Sequence, residues 1–195
     1  MRTYLLGSLL VVGATMTIPL AAQVVPSADS HGFHIDAAAT YNPAQFKELS
    51  GSSFWVEGAG IQGQLRKGDH LGVVADARGF HIADINNSGV GFDMITVTGG
   101  PRYTLFFAQH KLSVFGQGLV GGAFVFDGLF PHLPNAETTA SSLAVLAGGG
   151  ADFRLSRRFA VRAVEANWMY TQLPNGASNQ QNALVLSAGI VYHFK

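Results

Sequence analysis

Histidine is the residue type in this sequence best suited to metal binding or acid–base chemistry, because the chain has seven His and no Cys. His31 and His34 precede or begin the first predicted strand, and His193 lies near the end of the last one. If those two strands are neighbours in a closed sheet, the three rings could meet as a metal cluster at one rim. The alternative, which we expect, is that they are interfacial or lumen-edge side chains with water as partner. No metal and no other cofactor is expected.

Other catalytic motifs are incomplete. The segment 51–53 reads Gly-Ser-Ser and lacks the final Gly of a nucleophile elbow, and no His is followed two residues later by Ser, as the lipid A deacylases require. The segment 58–63 matches GxGxxG but lies inside a predicted strand, so it has no helix to complete a nucleotide site. Twelve Lys and Arg balance twelve Asp and Glu, which gives no excess of positive charge for nucleic acid.

The first segment has the order of a secretory signal peptide. Arg2 precedes an uncharged apolar run over 5–18, and the small residues Ala21 and Ala22 follow it. We expect cleavage after Ala22, which makes 1–22 the signal peptide and 23–195 the mature domain. Beyond the signal, the sequence has no uncharged apolar stretch of about 18 residues, the minimum for a transmembrane helix.

Period-two alternation of apolar and polar residues predicts an all-β mature domain. The predicted strands are 33–41, 54–65, 71–80, 92–104, 112–123, 142–153, 159–171 and 182–194. Their lengths are near the 9 to 11 residues that cross a bilayer as a β-strand. Short turns at 66–69, 108–110 and 156–158 (the turn end) alternate with longer connections at 42–53, 81–91, 124–141 and 172–181 (the loop end). The prediction is a closed eight-stranded antiparallel up-and-down transmembrane β-barrel.

The two faces of the predicted strands differ in polarity. In the last strand Leu184, Leu186 and Ile190 share one face, and Ser187 and His193 share the other. A soluble barrel needs a densely charged exterior, whereas charged residues make up only 12% of this chain. We therefore expect the apolar face to contact lipid and the isolated charges to pair inside. The side chains expected in this lumen network are Glu57, Asp76, Arg78, Arg102, Gln117, Asp152, Arg154 and Arg162.

The strand 159–171 breaks simple alternation. Arg162 and Glu165 are three residues apart, so a regular strand would turn one of the two charges toward lipid. We expect a β-bulge between them, or a position of Glu165 near the outer rim. The functional alternative is that the pair forms a gate.

Aromatic residues cluster near both ends of the predicted strands, as interfacial girdles do. Near the turn end these are Phe33, Tyr103, Phe153, Phe159, Tyr192 and Phe194. Near the loop end they are Tyr41, Phe54, Trp55, Phe92, Trp168 and Tyr170. Basic residues crowd the turn end, which we expect to face the periplasm: Arg66, Lys67, Lys111, Arg157, Arg158 and Lys195.

Three segments, 99–103, 162–168 and the C-terminal 188–195, resemble the outer-membrane β-barrel domain family. The family includes small eight-stranded barrels similar to the transmembrane domain of outer membrane protein A and to opacity-type surface antigens. The resemblance implies an integral protein of the Gram-negative outer membrane. It also implies that the last strand, through Tyr192 and Phe194, is read by the barrel-assembly machinery.

An eight-stranded barrel leaves an interior that side chains fill, which disfavours a porin-like channel. We expect a monomer with a structural or surface-interaction role, no catalysis and no nucleic-acid partner, whose partners are outer-membrane lipid and the assembly machinery. The apolar connection 124–141 is the candidate recognition loop, unless it packs over the barrel mouth. Its candidate residues are Phe126, Phe130, His132 and Leu133. The alternatives are a secreted soluble barrel that binds a hydrophobic ligand, and a lipid-modifying barrel enzyme.

Overall fold

A computed structural model describes residues 32–47, 53–85, 91–126, 138–173 and 179–194. The predicted signal peptide, 1–22, lies outside the described residues. The described strands are β1 (Phe33–Tyr41), β2 (Ala44–Lys47), β3 (Ser53–Lys67), β4 (Leu71–Ile82), β5 (Phe92–Phe107), β6 (Leu112–Phe126), β7 (Ala140–Arg154), β8 (Phe159–Thr171) and β9 (Gln181–His193). In the described part of the chain, no helix is long and apolar enough to span a membrane.

The sheet is antiparallel throughout and closes on itself. From β3 to β9 each strand pairs with the next along the chain. The seam is closed by β9, which pairs with both β1 and β2, for example at Ala38↔Val191 and Ala44↔Val185. The first and last strands are therefore neighbours, as the sequence predicted.

Strands β1 and β2 form one strand of the barrel wall, because both lie between β3 and β9. The interruption falls at Asn42 and Pro43, where proline lacks the N–H that a regular ladder needs. The wall thus has eight strands, which confirms the predicted closed eight-stranded antiparallel barrel. The sequence interpretation of 42–53 as a connection was wrong over β2, where Ala44 and Phe46 resume inward alternation.

The strands are longer than a bilayer crossing requires. Strand β5 has 16 residues, whereas 9 to 11 span the hydrocarbon. The bounds of β1 and β8 agree with the prediction, and the other strands differ from it by at most three residues at either end. The β5–β6 turn places Ala108, Gln109 and His110 in the left-handed region, with φ of 50°, 56° and 64°.

The outer face of the wall is apolar. Every long strand contributes exposed large hydrophobic side chains, among them Ile35, Ile61, Val73, Ile95, Val97, Leu105, Val114, Val120, Leu143, Val161, Leu184 and Ile190. Soluble proteins rarely expose so continuous an apolar surface. The wall therefore has the outward polarity of a membrane barrel.

The half of the lumen toward the loop end is filled by apolar side chains, which we call the loop-end cluster. Its buried members at that end are Ala44, Phe46, Val56, Phe80, Phe92, Met94, Leu119, Ala123, Val125, Ala144, Leu146, Met169, Leu173, Ala183 and Val185, with Phe54 packed against them. The prediction that Phe54 and Phe92 belong to an outer aromatic girdle was wrong. Both have the parity of Val56 and Met94 on their strands, and they therefore point inward.

Candidate functional site

The middle of the lumen is a network of ion pairs centred on Glu165, whose side chain is 0% exposed. Arg78 Nη2 donates to Glu165 Oε1 at 2.6 Å, and Arg162 Nη1 donates to Glu165 Oε2 at 2.6 Å. Asn167 Nδ2 and Gln117 Nε2 also donate to Oε1, at 2.6 and 3.1 Å. One carboxylate thus joins two arginines and two amides.

Two further carboxylates hold the same arginines from the other side. Asp76 accepts from Arg78 Nε at 2.8 Å and from Gln62 Nε2 at 3.0 Å. Asp152 accepts from Arg162 Nε at 2.8 Å. Charge-assisted hydrogen bonds of this kind are stronger than those between neutral groups, and here they offset the desolvation of buried charges. Each of these two arginines bridges two carboxylates.

Arg102 belongs to the same network but is held differently. Its guanidinium donates to the side-chain oxygens of Gln117, Gln62 and Gln64 rather than to a carboxylate. It also stacks over the ring of Phe115, with its carbon 4.0 Å from the ring centroid. Amide dipoles and an aromatic face therefore solvate this buried cation. We refer to all these polar residues, Gln62, Gln64, Asp76, Arg78, Arg102, Gln117, Asp152, Arg162, Glu165 and Asn167, as the central network.

A β-bulge in β8 brings Arg162 and Glu165 to the same side of the wall. The pairing of β8 with β9 shifts register between these two residues, and Ala163 and Val164 both lie on the outside. The bulge predicted from their spacing of three is confirmed. Glu165 is at the centre of the network and not at a rim. The bulge is what places a carboxylate between Arg78 and Arg162.

The structure places most of the predicted lumen residues in the central network. These are Asp76, Arg78, Arg102, Gln117, Asp152 and Arg162. Arg154 faces the lumen near the turn end and is half-buried. The expected lumen position of Glu57 was wrong: Glu57 is exposed and shares the parity of Trp55, so it lies on the outer face opposite His81.

Several lumen residues were missing from the predicted set. Among them are Asp36, Gln62, Gln64, Arg66, Glu165, Asn167 and Ser187, all buried. The alternation along β3 could have placed three of them in the lumen, because Gln62, Gln64 and Arg66 lie on the same face of the strand as Val56. Choosing lumen residues mainly by charge, rather than by parity along each strand, omitted the glutamines that link the arginines.

At the turn end, His193 Nδ1 contacts Asp36 Oδ1 at 2.6 Å across the β1–β9 seam. His34 is exposed, and His31 lies outside the described residues. Within the described ranges, no group of three or more His, Asp or Glu is arranged to hold a metal ion. The close partner of His193 is thus the Asp36 carboxylate, which differs both from the expected water and from the His34 ring of the metal-cluster hypothesis.

Phe126, a recognition candidate, and the assembly candidates Tyr192 and Phe194 lie at opposite ends of the barrel. Phe126 is exposed on the outer face at the end of β6, whereas Phe130, His132 and Leu133 lie outside the described residues. Tyr192 packs edge to face against Phe194 at 4.8 Å and against Phe159 at 5.2 Å. These rings form part of an outward-facing aromatic group at the turn end.

Comparison with solved structures gives the class of this fold. The chain is similar to Ail, the attachment invasion locus protein of Yersinia pestis, with 17% sequence identity, a TM-score of 0.56, and coverage of 83% of this chain and 99% of Ail. It is also similar to neisserial surface protein A, with 17% identity, a TM-score of 0.58, and coverage of 83% and 97%. The fold is that of the small eight-stranded barrels of outer membranes. No protein-family model and no curated protein matches the sequence.

Proposed function

We propose that this chain is an integral outer-membrane barrel with a structural or surface-interaction role and no catalytic activity. The observation that carries the proposal is the apolar outer face, which continues around all the long strands and encloses a lumen of buried ion pairs. Apolar side chains outside and charged side chains inside are the arrangement that lipid requires of a spanning barrel. The predicted signal peptide supports export.

The turn end is proposed to face the periplasm and the loop end the exterior. Short turns and an outward aromatic group mark the turn end, as in known membrane barrels. Exposed Lys67, Lys111, Arg157 and Arg158 lie beside these turns. Any recognition would then fall to the loop-end connections, among them the predicted recognition segment 124–141.

A secreted barrel with a hydrophobic ligand is the weaker alternative. Its ligand would need space inside the wall, but Phe46, Phe80 and Phe92 fill the apolar half of the lumen with rings in mutual contact. The same filling supports a barrel that does not conduct solutes. A lipid-modifying enzyme is the other alternative, but the carboxylates Asp76, Asp152 and Glu165 could not act on lipid because they are enclosed and paired with arginine.

Fractionation of expressing cells tests the proposed location. We expect the protein in the outer-membrane fraction, with a band that migrates differently in unboiled and boiled samples. A protein recovered from the soluble periplasmic fraction without detergent would overturn the proposal.

A pair of substitutions on one strand tests whether lipid covers the outer face. Ile61→Arg puts a cation in the middle of β3, where Ile61 is exposed between Ala39 and Ala77, and should reduce stability in bilayers by about 2–4 kcal/mol. Ser53→Arg, on the same face at the loop end of β3, is the matched control and should have a small effect. Equal, small effects would contradict a lipid-facing wall.

A further inference from the structure

A cavity of about 240 Å³ opens into the lumen at the turn end. Most of its polar lining is basic, with side chains of Arg66, Arg154, Arg157, His34, His110 and His193. A smaller cavity of about 30 Å³ continues from it toward the central network and is lined by Gln64 and Arg102. The central network is therefore reached from this end through a basic mouth.

Arg66 is the buried cation of this mouth and lacks hydrogen-bond partners. The residue is 8% exposed, and its Nε is fully buried without a partner among the described residues. Its nearest carboxylate oxygen, Asp36 Oδ2, is 4.0 Å from Nη2, which is too long for a hydrogen bond. Its guanidinium carbon lies 4.8 Å from the centroid of the Phe106 ring. Buried donors are almost always satisfied by protein, water or a bound ion, so this group requires a partner.

Gln64 provides a second buried donor, its Nε2, without a hydrogen-bond partner among the described residues. Its side chain lines the same inner cavity as Arg66. Two unpartnered donors thus line the inner cavity, and Arg66 also lines the larger one.

The acidic residues nearby do not neutralise the mouth. Asp36 is engaged at 2.6 Å by His193, and Asp69 is the other acidic residue that lines the larger cavity. In the described part of the chain, the guanidinium of Arg154 has neither an ion pair nor a hydrogen bond. Arg78 and Arg162, in contrast, each bond two carboxylates.

We propose that the turn-end cavity is a binding site for an oxyanion of the phosphate type. Arg66 and Gln64 would donate to its oxygens, and Arg154 would add a second positive charge at the entrance. Guanidinium groups suit such anions because several N–H donors converge on one planar edge. Free phosphate and the phosphate of a lipid headgroup share this chemistry. The proposal goes beyond the structural role and concerns the folded barrel in any location.

The test is a titration of inorganic phosphate into the folded full-length chain in a phosphate-free glycoside detergent. Arginine Nε–H resonances are followed by ¹⁵N NMR at constant ionic strength, with chloride as the screening control. We expect a saturable shift of the resonance that Arg66→Gln removes. Affinity should fall about tenfold in Arg154→Gln, as loss of a charge-assisted contact implies. Arg158→Gln, an exposed cation of the neighbouring turn, should bind like the wild type.

A parallel titration with a water-soluble short-chain phosphatidylglycerol separates the two sources. Saturation by either probe that is weakened by Arg154→Gln supports the site, and the probe that binds more tightly identifies the source. No saturable shift with either probe, an equal shift with chloride, or wild-type affinity in Arg154→Gln would overturn the proposal. The unboiled gel band verifies folding of each variant, and Arg154→Gln keeps the test available if Arg66→Gln does not fold.

Discussion

The two halves of the lumen are filled in opposite ways by the same alternating wall. In the loop-end cluster the ring of Phe46 lies 5.5–6.3 Å from those of Phe54, Phe80 and Phe92. In the central network Glu165 and its arginines fill the lumen with buried ion pairs instead. A narrow barrel requires only that inward side chains fill its volume, and either chemistry achieves this. The two halves should nevertheless respond differently to damage, because a lost apolar group leaves a void whereas a lost charge leaves its partners unpaired.

The largest effect is expected for Glu165→Ala. This substitution leaves Arg78 and Arg162 each with one carboxylate fewer in a buried site, and should lower the free energy of unfolding by about 3–5 kcal/mol. Urea unfolding in lipid vesicles, followed by the unboiled gel band, measures it. Glu165→Gln keeps one acceptor oxygen, which can still accept from Asn167, and should be less damaging. A loss below about 1 kcal/mol would show that the network does not depend on its central carboxylate.

The next effect is expected in the loop-end cluster. Phe46→Ala removes a ring that is 2% exposed and contacts three other rings, and should lower stability by about 3 kcal/mol through the void that it leaves. Phe46→Leu fills part of that void and is the matched control. The same unfolding assay applies, and equal stability of the two variants would show that the cluster is loosely packed.

The architecture was predictable because period-two alternation is a strong signal when one face is uniformly apolar. The bounds of β1 and β8 followed from it directly, and the bulge followed from two charges at odd spacing in an otherwise alternating strand. The split of the first barrel strand did not follow, since Pro43 reads as the start of a loop. Only the pairing of Ala44–Lys47 with both neighbours reveals the continuation.

The interior was predictable only in part. Charge alone selected Arg78 and Arg162 correctly but also selected Glu57, whose position in the alternation points it outward. Phe54 and Phe92 were read as girdle residues because aromatic rings suit both an interface and a core. Which side a ring faces depends on whether its position in the strand alternation is inward or outward. That alternation is best assigned from residues of the same strand whose side is clear, such as buried aliphatic residues.

Arg102→Met tests whether an arginine bonded to amides contributes less to stability than one bonded to carboxylates. Removal of Arg102 leaves the side-chain oxygens of Gln64 and Gln117 without their donor, whereas Gln62 Oε1 still accepts from Arg162 Nη1. Because no carboxylate loses a partner, we expect a loss of about 2 kcal/mol. Arg162→Met removes a donor from both Asp152 and Glu165 and should be more damaging. We expect it to lower the free energy of unfolding by about 3–5 kcal/mol. The comparison of the two unfolding free energies distinguishes carboxylate pairing from solvation by amides. Equal losses would contradict this distinction.

The smallest effect is expected outside the lumen, at His81. Its Nδ1 lies 2.5 Å from Asp93 Oδ1 on the outer face at the loop end, where the two side chains are 69% and 43% exposed. Solvent and salt screen such a pair, so His81→Ala should change the free energy of unfolding by less than about 1 kcal/mol. This contact between a histidine and a carboxylate is similar in length to the contacts of Glu165, which makes it a control for burial. If His81→Ala were as damaging as Glu165→Ala, the contact with a carboxylate, and not its burial in the lumen, would determine how much each site contributes to stability.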